Sequence, residues 1–320
     1  MNGFRKNQED LAIKFEGPEK KLEIILYRPL KNLRNPSSGS WKRVVAASGA
    51  EIISKISNSR MDAYLLSESS LFVWDDRILM ITCGQTQLVN TIPEILSIIE
   101  KSNVALAFYE RKNFMYPGEQ PSDFEEDVAR IEAFFKGKSY RLGPANHDHV
   151  HVFYSSHFAV EPSRDVTFQI LMTGLNNSMS KTLSAGFAES PEQAGKIIGL
   201  DLLYPGMKRD AHLFSPYGYS MNAIDGPNYA TIHVTPQPVG SYASFETNIC
   251  EKNFGRLVSD VISIFDPEKY SLVLTASRDN DTSWQEFVKK DFPGYKITEK
   301  SIYEFDCGYF VNFLNLKSAA

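Results

Sequence analysis

Tyr64-Leu65-Leu66-Ser67-Glu68-Ser69-Ser70-Leu71-Phe72-Val73 is a run of strand-forming apolar residues interrupted by a short polar centre. A second apolar run follows the pair Asp75-Asp76, and it reads Arg77-Ile78-Leu79-Met80-Ile81-Thr82-Cys83-Gly84. Apolar β-rich runs joined by short polar breaks are typical of a β-hairpin. We expect the hairpin to bring the serine cluster close to Cys83. Taken alone, the pattern also fits an ordinary buried hairpin whose hydroxyl groups bond to the backbone.

The polar centre Leu-Ser-Glu-Ser-Ser, followed by Thr-Cys-Gly, resembles the self-cleavage site of eukaryotic-type S-adenosylmethionine decarboxylase proenzymes. Further segments of the chain match that family in the same order, and they are Phe15-Glu16-Gly17-Pro18-Glu19-Lys20, Arg111-Lys112-Asn113-Phe114-Met115, Gly218-Tyr219-Ser220-Met221-Asn222 and Thr231-Ile232-His233-Val234-Thr235-Pro236. Five spaced motifs in one order are far more specific than any one of them alone. The resemblance extends from about Phe15 to the C-terminal strands.

Composition limits the class of protein. The chain has 320 residues, of which 42% are hydrophobic and 23% charged, which is ordinary for a soluble globular protein that buries a large core. A net charge of −5 gives no electrostatic basis for binding nucleic acid. No apolar run reaches the ~20 residues of a membrane span, and the polar N-terminus lacks a signal peptide. Three cysteines favour a reducing compartment, so we expect a cytoplasmic protein without membrane or nucleic-acid partners.

Strands that alternate with helices predict an α+β fold with antiparallel sheets. The resemblance implies a four-layer αββα sandwich, in which two antiparallel sheets lie face to face with helices outside. It also implies one catalytic domain over 1–320, built from similar halves of about 15–162 and 165–316 that meet near residues 161–164. Several helices are expected from spacing and capping residues, and they are Trp41 to about Ile56, Thr86 to Lys101, Ser122 to Phe135, a helix starting at Ser190-Pro191, about 252–265 and 283–290.

The resemblance assigns Ser69 the central chemical role. In the family this serine attacks the preceding carbonyl, that of Glu68, and converts the amide to an ester; β-elimination then cuts the chain. The serine remnant loses ammonia and becomes a pyruvoyl cofactor, which forms a Schiff base with the substrate amine and acts as an electron sink. Such a shift needs a strained local backbone, because an ordinary amide is stable. The expected products are a β chain of residues 1–68 and an α chain of residues 69–320.

Three further residues match the family's reactive groups. His233 matches the base that removes the α-proton of the ester, and a neutral imidazole suits that task. Ser220 matches the hydroxyl that holds the tetrahedral adduct. Cys83 matches the proton donor to the substrate α-carbon after carbon dioxide leaves. The alternatives are a structural histidine on an alternating strand and a small buried thiol, and the latter is what we expect for Cys250 and Cys307.

Other positions match residues that bind or place the substrate. Phe15 and Phe214 match the aromatic pair that stacks on adenine. Glu68 and Leu66 match residues of the same pocket. Two acids near the active site, with parts in substrate placement and in processing, are matched by Glu16 and Glu19. The simpler alternatives are that the phenylalanines belong to the core and that Glu19 lies in a solvated Glu-Lys-Lys turn.

The chain departs from the family at a ribose-binding position. Where the family has a glutamate that accepts hydrogen bonds from both ribose hydroxyls, this chain has Gln237. A carboxylate accepts two charge-assisted bonds, whereas an amide accepts with one oxygen and donates with its nitrogen. This change leaves open a substrate other than S-adenosylmethionine.

A second departure concerns activation by putrescine, which occurs in many animal members of the family through a buried acidic network. Asp165 and Glu246 match two of its acids, but Gln169 and Ile81 replace charged members. A dication needs buried carboxylates to offset its desolvation, so we expect weak or absent putrescine activation. The run His147-Asp148-His149-Val150-His151 has metal-ligand character, but we interpret it as a surface strand, and no metal is expected.

The sequence thus predicts a self-processing, pyruvoyl-dependent lyase that decarboxylates S-adenosylmethionine and supplies the aminopropyl donor for spermidine and spermine synthesis. One alternative is a pyruvoyl decarboxylase of another amino acid, motivated by Gln237. Another is a non-catalytic paralogue that activates an active partner subunit, as trypanosomatids have. The expected partners are the substrate and the two chains of one precursor. A homodimer is also compatible, since family members occur as dimers in animals and as monomers in plants.

Overall fold

The computed structural model describes residues 16–156, 165–176, 178–183, 186–237, 240–251, 253–277 and 292–319. The strands of this described part are β1 (Lys20–Leu26), β2 (Ile52–Ser57), β3 (Met61–Leu66), β4 (Ser69–Trp74), β5 (Arg77–Thr82), β6 (Val104–Lys112), β7 (Lys138–Leu142), β8 (Val150–Ser156), β9 (Val166–Thr173), β10 (Lys208–Leu213), β11 (Tyr219–Asp225), β12 (Asn228–Thr235), β13 (Tyr242–Thr247), β14 (Lys269–Ser277), β15 (Tyr295–Glu304) and β16 (Tyr309–Ser318). The helices are α1 (Ser40–Ala47), α2 (Ile92–Leu96), α3 (Phe124–Glu132), α4 (Ser178–Thr182), α5 (Pro191–Ile197) and α6 (Phe254–Phe265). Short 3₁₀ turns lie at Leu88–Thr91, Lys101–Asn103, Pro117–Glu119 and Leu200–Leu202.

The strands form two eight-stranded antiparallel sheets with the same topology. The first sheet has the order β2-β3-β4-β5-β1-β6-β8-β7, and the second has β10-β11-β12-β13-β9-β14-β16-β15. Each strand of the second sheet occupies the position of the strand eight numbers earlier in the first. This repetition is the two-fold likeness of the halves that the resemblance implied, and it is visible in topology rather than in residue identity.

Side chains alternate between the two faces of each sheet. In the first half, Leu22, Ile24 and Met80 face an outer core shared with α1 and α2. In the second half, the outward-facing side chains share a core with α6. The opposite faces of the sheets meet each other, as shown by Trp74 Nε1, which donates to the carbonyl of Pro227 at 2.9 Å. The predicted αββα sandwich is therefore confirmed.

Three helix predictions were too long, and the one expected to end at Phe135 ends at Glu132. The helix from Trp41 was expected to reach Ile56, but α1 ends at Ala47, and Gly49 with φ of 90° stops it in the left-handed conformation. Residues Ile52–Ser57 instead form the edge strand β2. The helix expected from Thr86 to Lys101 is only a 3₁₀ turn followed by α2, since Pro93 begins a helix rather than lying inside one.

The starts of α1, α3 and α5 were predicted to within a residue. The capping box of α3 is formed by Asp123 and Glu126, one position later than the predicted Ser122 and Glu125. Gly39, not Ser40, is the N-cap residue of α1. The predicted seam at 161–164, the predicted helix at 283–290 and the first 15 residues lie outside the described residues. No helix within the described part is long and apolar enough to span a bilayer.

Candidate active site

Ser69 lies at the first position of β4, directly after the two-residue turn Ser67-Glu68. It pairs with Leu66 on β3 and with Thr82 on β5, so the predicted hairpin is confirmed. The backbone of Ser69 has φ of 114°, a region that non-glycine residues avoid at a cost of about 1–3 kcal/mol. The side chain is 2% exposed, and within the described part of the chain its Oγ has no hydrogen-bond partner of good geometry. A strained and buried serine therefore lies at the expected cleavage site.

Cys83 lies beside the peptide bond that joins Glu68 to Ser69. Its amide N–H donates to the carbonyl oxygen of Glu68 at 3.1 Å, and its Sγ lies 3.8 Å from Oε2 of Glu68. Burial raises the pKa of the Cys83 thiol well above its usual range, and the nearby Glu68 and Glu19 carboxylates add to the effect. Burial also raises the pKa of the Glu68 carboxyl to about 7. At neutral pH the sulfur therefore carries its proton and can donate it.

His233 and Ser220 lie opposite each other on β12 and β11, and both side chains face the first sheet. The His233 Nδ1 atom is 2.9 Å from Ser220 Oγ. On the other side of the ring, Nε2 lies 2.9 Å from Thr231 Oγ1 and 3.3 Å from Ser70 Oγ. Burial lowers the pKa of His233 to about 3, so the ring is neutral at physiological pH. The predicted pair is thus brought within reach of the residue that follows Ser69.

The two hairpins that carry the reactive pairs do not occupy equivalent places in the repeat. Ser69 lies on β4 and Cys83 directly after its neighbour β5, whereas Ser220 and His233 are paired across β11 and β12. In the second sheet, β11 and β12 correspond to β3 and β4 of the first. The sequence separations within the two pairs, 14 positions for Ser69 and Cys83 and 13 for Ser220 and His233, therefore do not reflect the duplication.

Glu16 and Glu19 lie in the segment that leads into β1, and their carboxyl groups have different partners. Glu16 is buried, and its carboxylate accepts hydrogen bonds from the backbone N–H of Met115 at 2.6 Å and of Tyr116 at 3.0 Å. Glu19 is half-buried by area, but its carboxyl accepts from Ser244 Oγ at 2.8 Å between the sheets. Desolvation raises the pKa of Glu19 to about 8, while the Ser244 and Ser69 hydroxyls oppose the rise. The alternative of a solvated turn is therefore wrong.

A cavity of about 900 Å³ opens next to these residues, and Glu16, Gln237 and Tyr242 are part of its lining. Ser69 and Cys83 are not lining residues, but the backbone N–H of Gly84 donates to the carbonyl of Glu16 at 3.0 Å. The cavity thus adjoins the cleavage site through Glu16 and the residue after Cys83.

The predicted adenine-binding residues are only partly assembled. Phe214 is half-buried, with its N–H donating to the carbonyl of Gly218 at 2.9 Å. The Leu66 side chain is fully buried in the outer core of the first half, so its backbone, not its side chain, lies next to Ser69. Phe15 lies outside the described residues. The roles of these three remain predictions.

The sequence interpretation missed several polar residues of the site. Asn222 and Thr231 lie two positions from Ser220 and His233 and share their face, so strand periodicity was a signal that could have found them. Ser70 Oγ donates to Asn222 Oδ1 at 2.7 Å. Lys20 Nζ donates to the carbonyls of Gly84 at 2.9 Å and Thr86 at 2.8 Å, and thereby holds the loop after Cys83. Burial lowers the pKa of Lys20 to about 7.

The acidic network proposed for putrescine contains a lysine that was not predicted. Lys21 Nζ lies 3.2 Å from Glu246 and 3.6 Å from Glu110, and Gln169 Nε2 donates to Glu110 at 2.7 Å. Asp165 lies apart from this group and forms an ion pair with Arg77 at 2.7 Å. The two predicted acids are thus paired with cations of the chain itself.

The histidine run and the remaining cysteines show no site. The His151 ring stacks on Phe124 with centroids 4.6 Å apart, and His149 Nδ1 lies 2.8 Å from the carbonyl of His147. Across the described ranges, no group of three or more His, Cys, Asp or Glu residues is arranged to hold a metal ion. Cys307 is buried as predicted, but the predicted burial of Cys250 is wrong, because it lies exposed in the loop between β13 and α6.

Comparison with known proteins agrees with the motifs. Proteins called S-adenosylmethionine decarboxylase proenzyme are similar along most of the chain. The protein from Dictyostelium discoideum is 32% identical, covering 96% of this chain and 86% of its own length. The protein from Trypanosoma cruzi is 31% identical, with 98% and 91% covered. For Oryza sativa subsp. japonica the identity is 34%, with 93% and 81% covered.

The crystal structure of a Trypanosoma brucei AdoMetDC-delta26 monomer has a similar fold. Its TM-score is 0.63 at 25% identity, and the match covers 78% of this chain and 99% of that one. A sequence profile of the family described as adenosylmethionine decarboxylase matches residues 12–317. The two-sheet architecture, the ordered motifs and these matches together show that the chain belongs to the adenosylmethionine decarboxylase family.

Proposed function

We propose that this chain is a self-processing, pyruvoyl-dependent decarboxylase of S-adenosylmethionine. The observation that carries the proposal is Ser69, which combines a strained backbone, burial and a hydroxyl without a hydrogen-bond partner of good geometry with Cys83 and the His233 network nearby. Ordinary buried serines bond to the backbone, so this combination is expected of a reactive serine rather than a structural one. The relatives' shared name supports the same reaction.

In the proposed cleavage, Ser69 Oγ attacks the carbonyl carbon of Glu68, the C–N bond breaks, and an ester and a free amine form. His233 then removes the α-hydrogen of residue 69, the Cβ–Oγ bond breaks, and the Glu68 carboxylate leaves as the new C-terminus. The remaining enamine takes up water and releases ammonia, which leaves a pyruvoyl group. Backbone strain at Ser69 favours the first step, because the shift relieves it. The neutral state of buried His233 supports its role as a base.

The two products would stay together as one enzyme. Strand β1, which would belong to the β chain of residues 1–68, pairs with β5 on one side and β6 on the other. Both neighbours would belong to the α chain of residues 69–320. We place the enzyme in the cytoplasm, in line with its sparse cysteines, and its product would serve as the aminopropyl donor for spermidine and spermine.

For the decarboxylation, the pyruvoyl carbonyl supplies the electron sink that amino-acid decarboxylation needs. The chain's own contribution is to place a proton donor. Cys83 keeps its proton because burial and the neighbouring carboxylates raise its pKa, and it would deliver that proton to the α-carbon that loses carbon dioxide. Glu16 and Glu19 would place the substrate and assist processing, Phe15 and Phe214 would stack on adenine beside Glu68 and Leu66, and Gln237 would bind ribose from the cavity wall.

Intact mass spectrometry of the freshly purified protein tests this proposal. We expect two chains that divide between Glu68 and Ser69, with the larger one blocked by pyruvoyl. Ser69→Ala should give one uncut chain, and Ser67→Ala, in the same turn, should still be cut. A wild-type chain that stays whole after prolonged incubation would overturn the proposal and favour a non-catalytic paralogue that activates a partner.

A further inference from the structure

The buried side chains around His233 determine which ring nitrogen carries the hydrogen. Asn222 is fully buried next to the ring. Its Nδ2 lies 3.1 Å from the carbonyl oxygen of Tyr64, and a carbonyl can only accept. The amide nitrogen must therefore face Tyr64, and Oδ1 must face the hydroxyls of Ser70 and Thr231 at 2.7 and 2.9 Å.

Both hydroxyls are committed as donors away from the histidine. Each has one hydrogen, and the Asn222 oxygen can accept from both of them. Thr231 Oγ1 is also 3.1 Å from the carbonyl of Met221, which is a second acceptor and not a donor. The hydroxyls therefore present lone pairs to His233 Nε2, at 2.9 Å from Thr231 and 3.3 Å from Ser70. An Nε2 atom that faces two acceptors must carry the hydrogen.

The opposite side of the ring gives the same answer independently. Ser220 is 4% exposed, and the hydrogen-bond partner found for its hydroxyl in the described part of the chain is His233 Nδ1 at 2.9 Å. If Nδ1 carried a hydrogen, the Ser220 hydrogen would be buried without that acceptor, which is costly. Ser220 is thus the donor and Nδ1 the acceptor.

We propose that Asn222 is a positioning residue that holds His233 as the Nε2–H tautomer and so keeps Nδ1, on the Ser220 side, as the basic nitrogen. The tautomer follows from the hydrogen bonds alone, whereas its effect on chain cleavage rests on the proposed function. In that reaction the α-hydrogen of the ester is taken up at Nδ1, and its bonding pair forms the carbon–carbon double bond as the Glu68 carboxylate leaves. Without Asn222, the Ser70 or Thr231 hydrogen can turn to Nε2, which moves the ring hydrogen to Nδ1 and blocks the base.

Nuclear magnetic resonance of the ¹⁵N-imidazole-labelled, full-length Ser69→Ala chain tests the assignment, because couplings from the carbon-bound ring protons distinguish the two tautomers. The chain has six histidines, and an added His233→Gln change identifies the relevant signals. We expect Nε2–H for His233. The same measurement on Asn222→Leu, of similar size but without polar atoms, should show Nδ1–H appearing. Asn222→Asp in its protonated form should keep Nε2–H, because its hydroxyl can donate to the Tyr64 carbonyl while its other oxygen still accepts from both hydroxyls.

Cleavage rates, measured with Ser69 intact, supply the second readout. Asn222→Leu should cut at least about tenfold more slowly, since a positioned base usually contributes more than that, and Asn222→Asp should cut faster than Asn222→Leu. An Nδ1–H signal in the Ser69→Ala chain overturns the proposal even if Asn222→Leu fails to fold. An unchanged tautomer in a folded Asn222→Leu chain overturns it as well. If the wild-type chain stays uncut while Nε2–H is observed, the tautomer assignment is supported and the proposed function fails.

Discussion

Lys21 Nζ on β1 lies 3.2 Å from Glu246 Oε2 on β13, and this ion pair joins the two sheets inside the buried layer. Glu110 Oε1 is 3.6 Å from the same ammonium, and Tyr229 donates to the other oxygen of Glu246. The surrounding free space is about 10 Å³, which is room for about one water molecule. The carboxylates that a diamine would need therefore already have a cation supplied by the chain.

The first prediction is that millimolar putrescine leaves the initial rate of the wild-type enzyme unchanged. A diamine would have to displace Lys21 from two buried carboxylates and enter a space of about 10 Å³. Lys21→Ala should reverse this behaviour, because it removes an aliphatic amine from the cluster and leaves the acids unpaired. We expect the variant to be destabilised by about 3–5 kcal/mol and to be stimulated by putrescine.

The exposed Lys42→Ala change on α1 is the matched control and should behave like the wild type. Initial rates with and without putrescine, together with denaturant unfolding, make the measurement. A several-fold rise for the wild type would show that the Lys21 cluster does not replace the diamine.

The second prediction separates processing from decarboxylation through Cys83. Cys83→Ala removes the proton donor but not the strained Ser69 or the His233 network, so the chain should still be cut. Decarboxylation should fall by about 10² or more, the usual contribution of a positioned acid. The pyruvoyl group should also be lost during turnover, since protonation at the wrong carbon converts it to an amine. The exposed Cys250→Ala is the control, and mass spectra of the α chain during turnover measure the loss. Full activity of Cys83→Ala would exclude the thiol as the donor.

The site hairpin could be predicted because its signals are local. The apolar alternation around Ser69 and the two-residue break at Ser67-Glu68 determine β3, β4 and the turn between them. The same holds for Ser220 and His233, which strand pairing places opposite each other. The prediction for α1 was too long because Ile52 and Ile56 also fit a helical period. Only Gly49, in the left-handed conformation, separates the helix from the following strand.

The ion pair of Lys21 could not be predicted from the same information. A lysine on a strand usually faces solvent, and what buries this one is the second sheet, whose Glu246 is 225 positions away in the chain. Asn222 is a similar case, because its role depends on Tyr64 and Ser70 of the other sheet. Periodicity indicates which residues share a face, but it does not indicate what lies opposite that face.

The third prediction concerns the pH dependence of stability through Glu19. Its pKa is raised from 4.5 to about 8 in the folded chain, so the folded state keeps a proton that the unfolded state releases. The free energy of unfolding should therefore fall as pH rises from about 4.5 to 8, by up to about 1.4 kcal/mol per pH unit. Glu19→Gln carries no titrating group and should flatten that slope.

The free energy of unfolding is measured with denaturant at pH 5.5 and 7.5, in the uncut Ser69→Ala chain with and without Glu19→Gln. Both pH values, about two units apart, lie within the window in which Glu19 titrates. Other titrating groups cancel in the comparison. The exposed Glu51→Gln change is the control and should leave the slope as it is. Parallel curves for the Ser69→Ala chain with and without the Glu19→Gln change would mean that the Glu19 carboxyl is solvated in the folded state.

The last prediction addresses the substrate through Gln237, which lines the 900 Å³ cavity with Glu16 and Tyr242. If this residue binds the ribose of S-adenosylmethionine, Gln237→Glu restores a charged acceptor for two hydroxyls. The KM should then fall about tenfold, which corresponds to about 1.4 kcal/mol, while kcat changes little. Gln193→Glu on α5 adds the same charge outside the cavity lining and should leave KM unchanged. If the wild type decarboxylates S-adenosylmethionine negligibly and only Gln237→Glu does so at a measurable rate, the natural substrate is another amino acid. An unchanged KM would remove Gln237 from the ribose site.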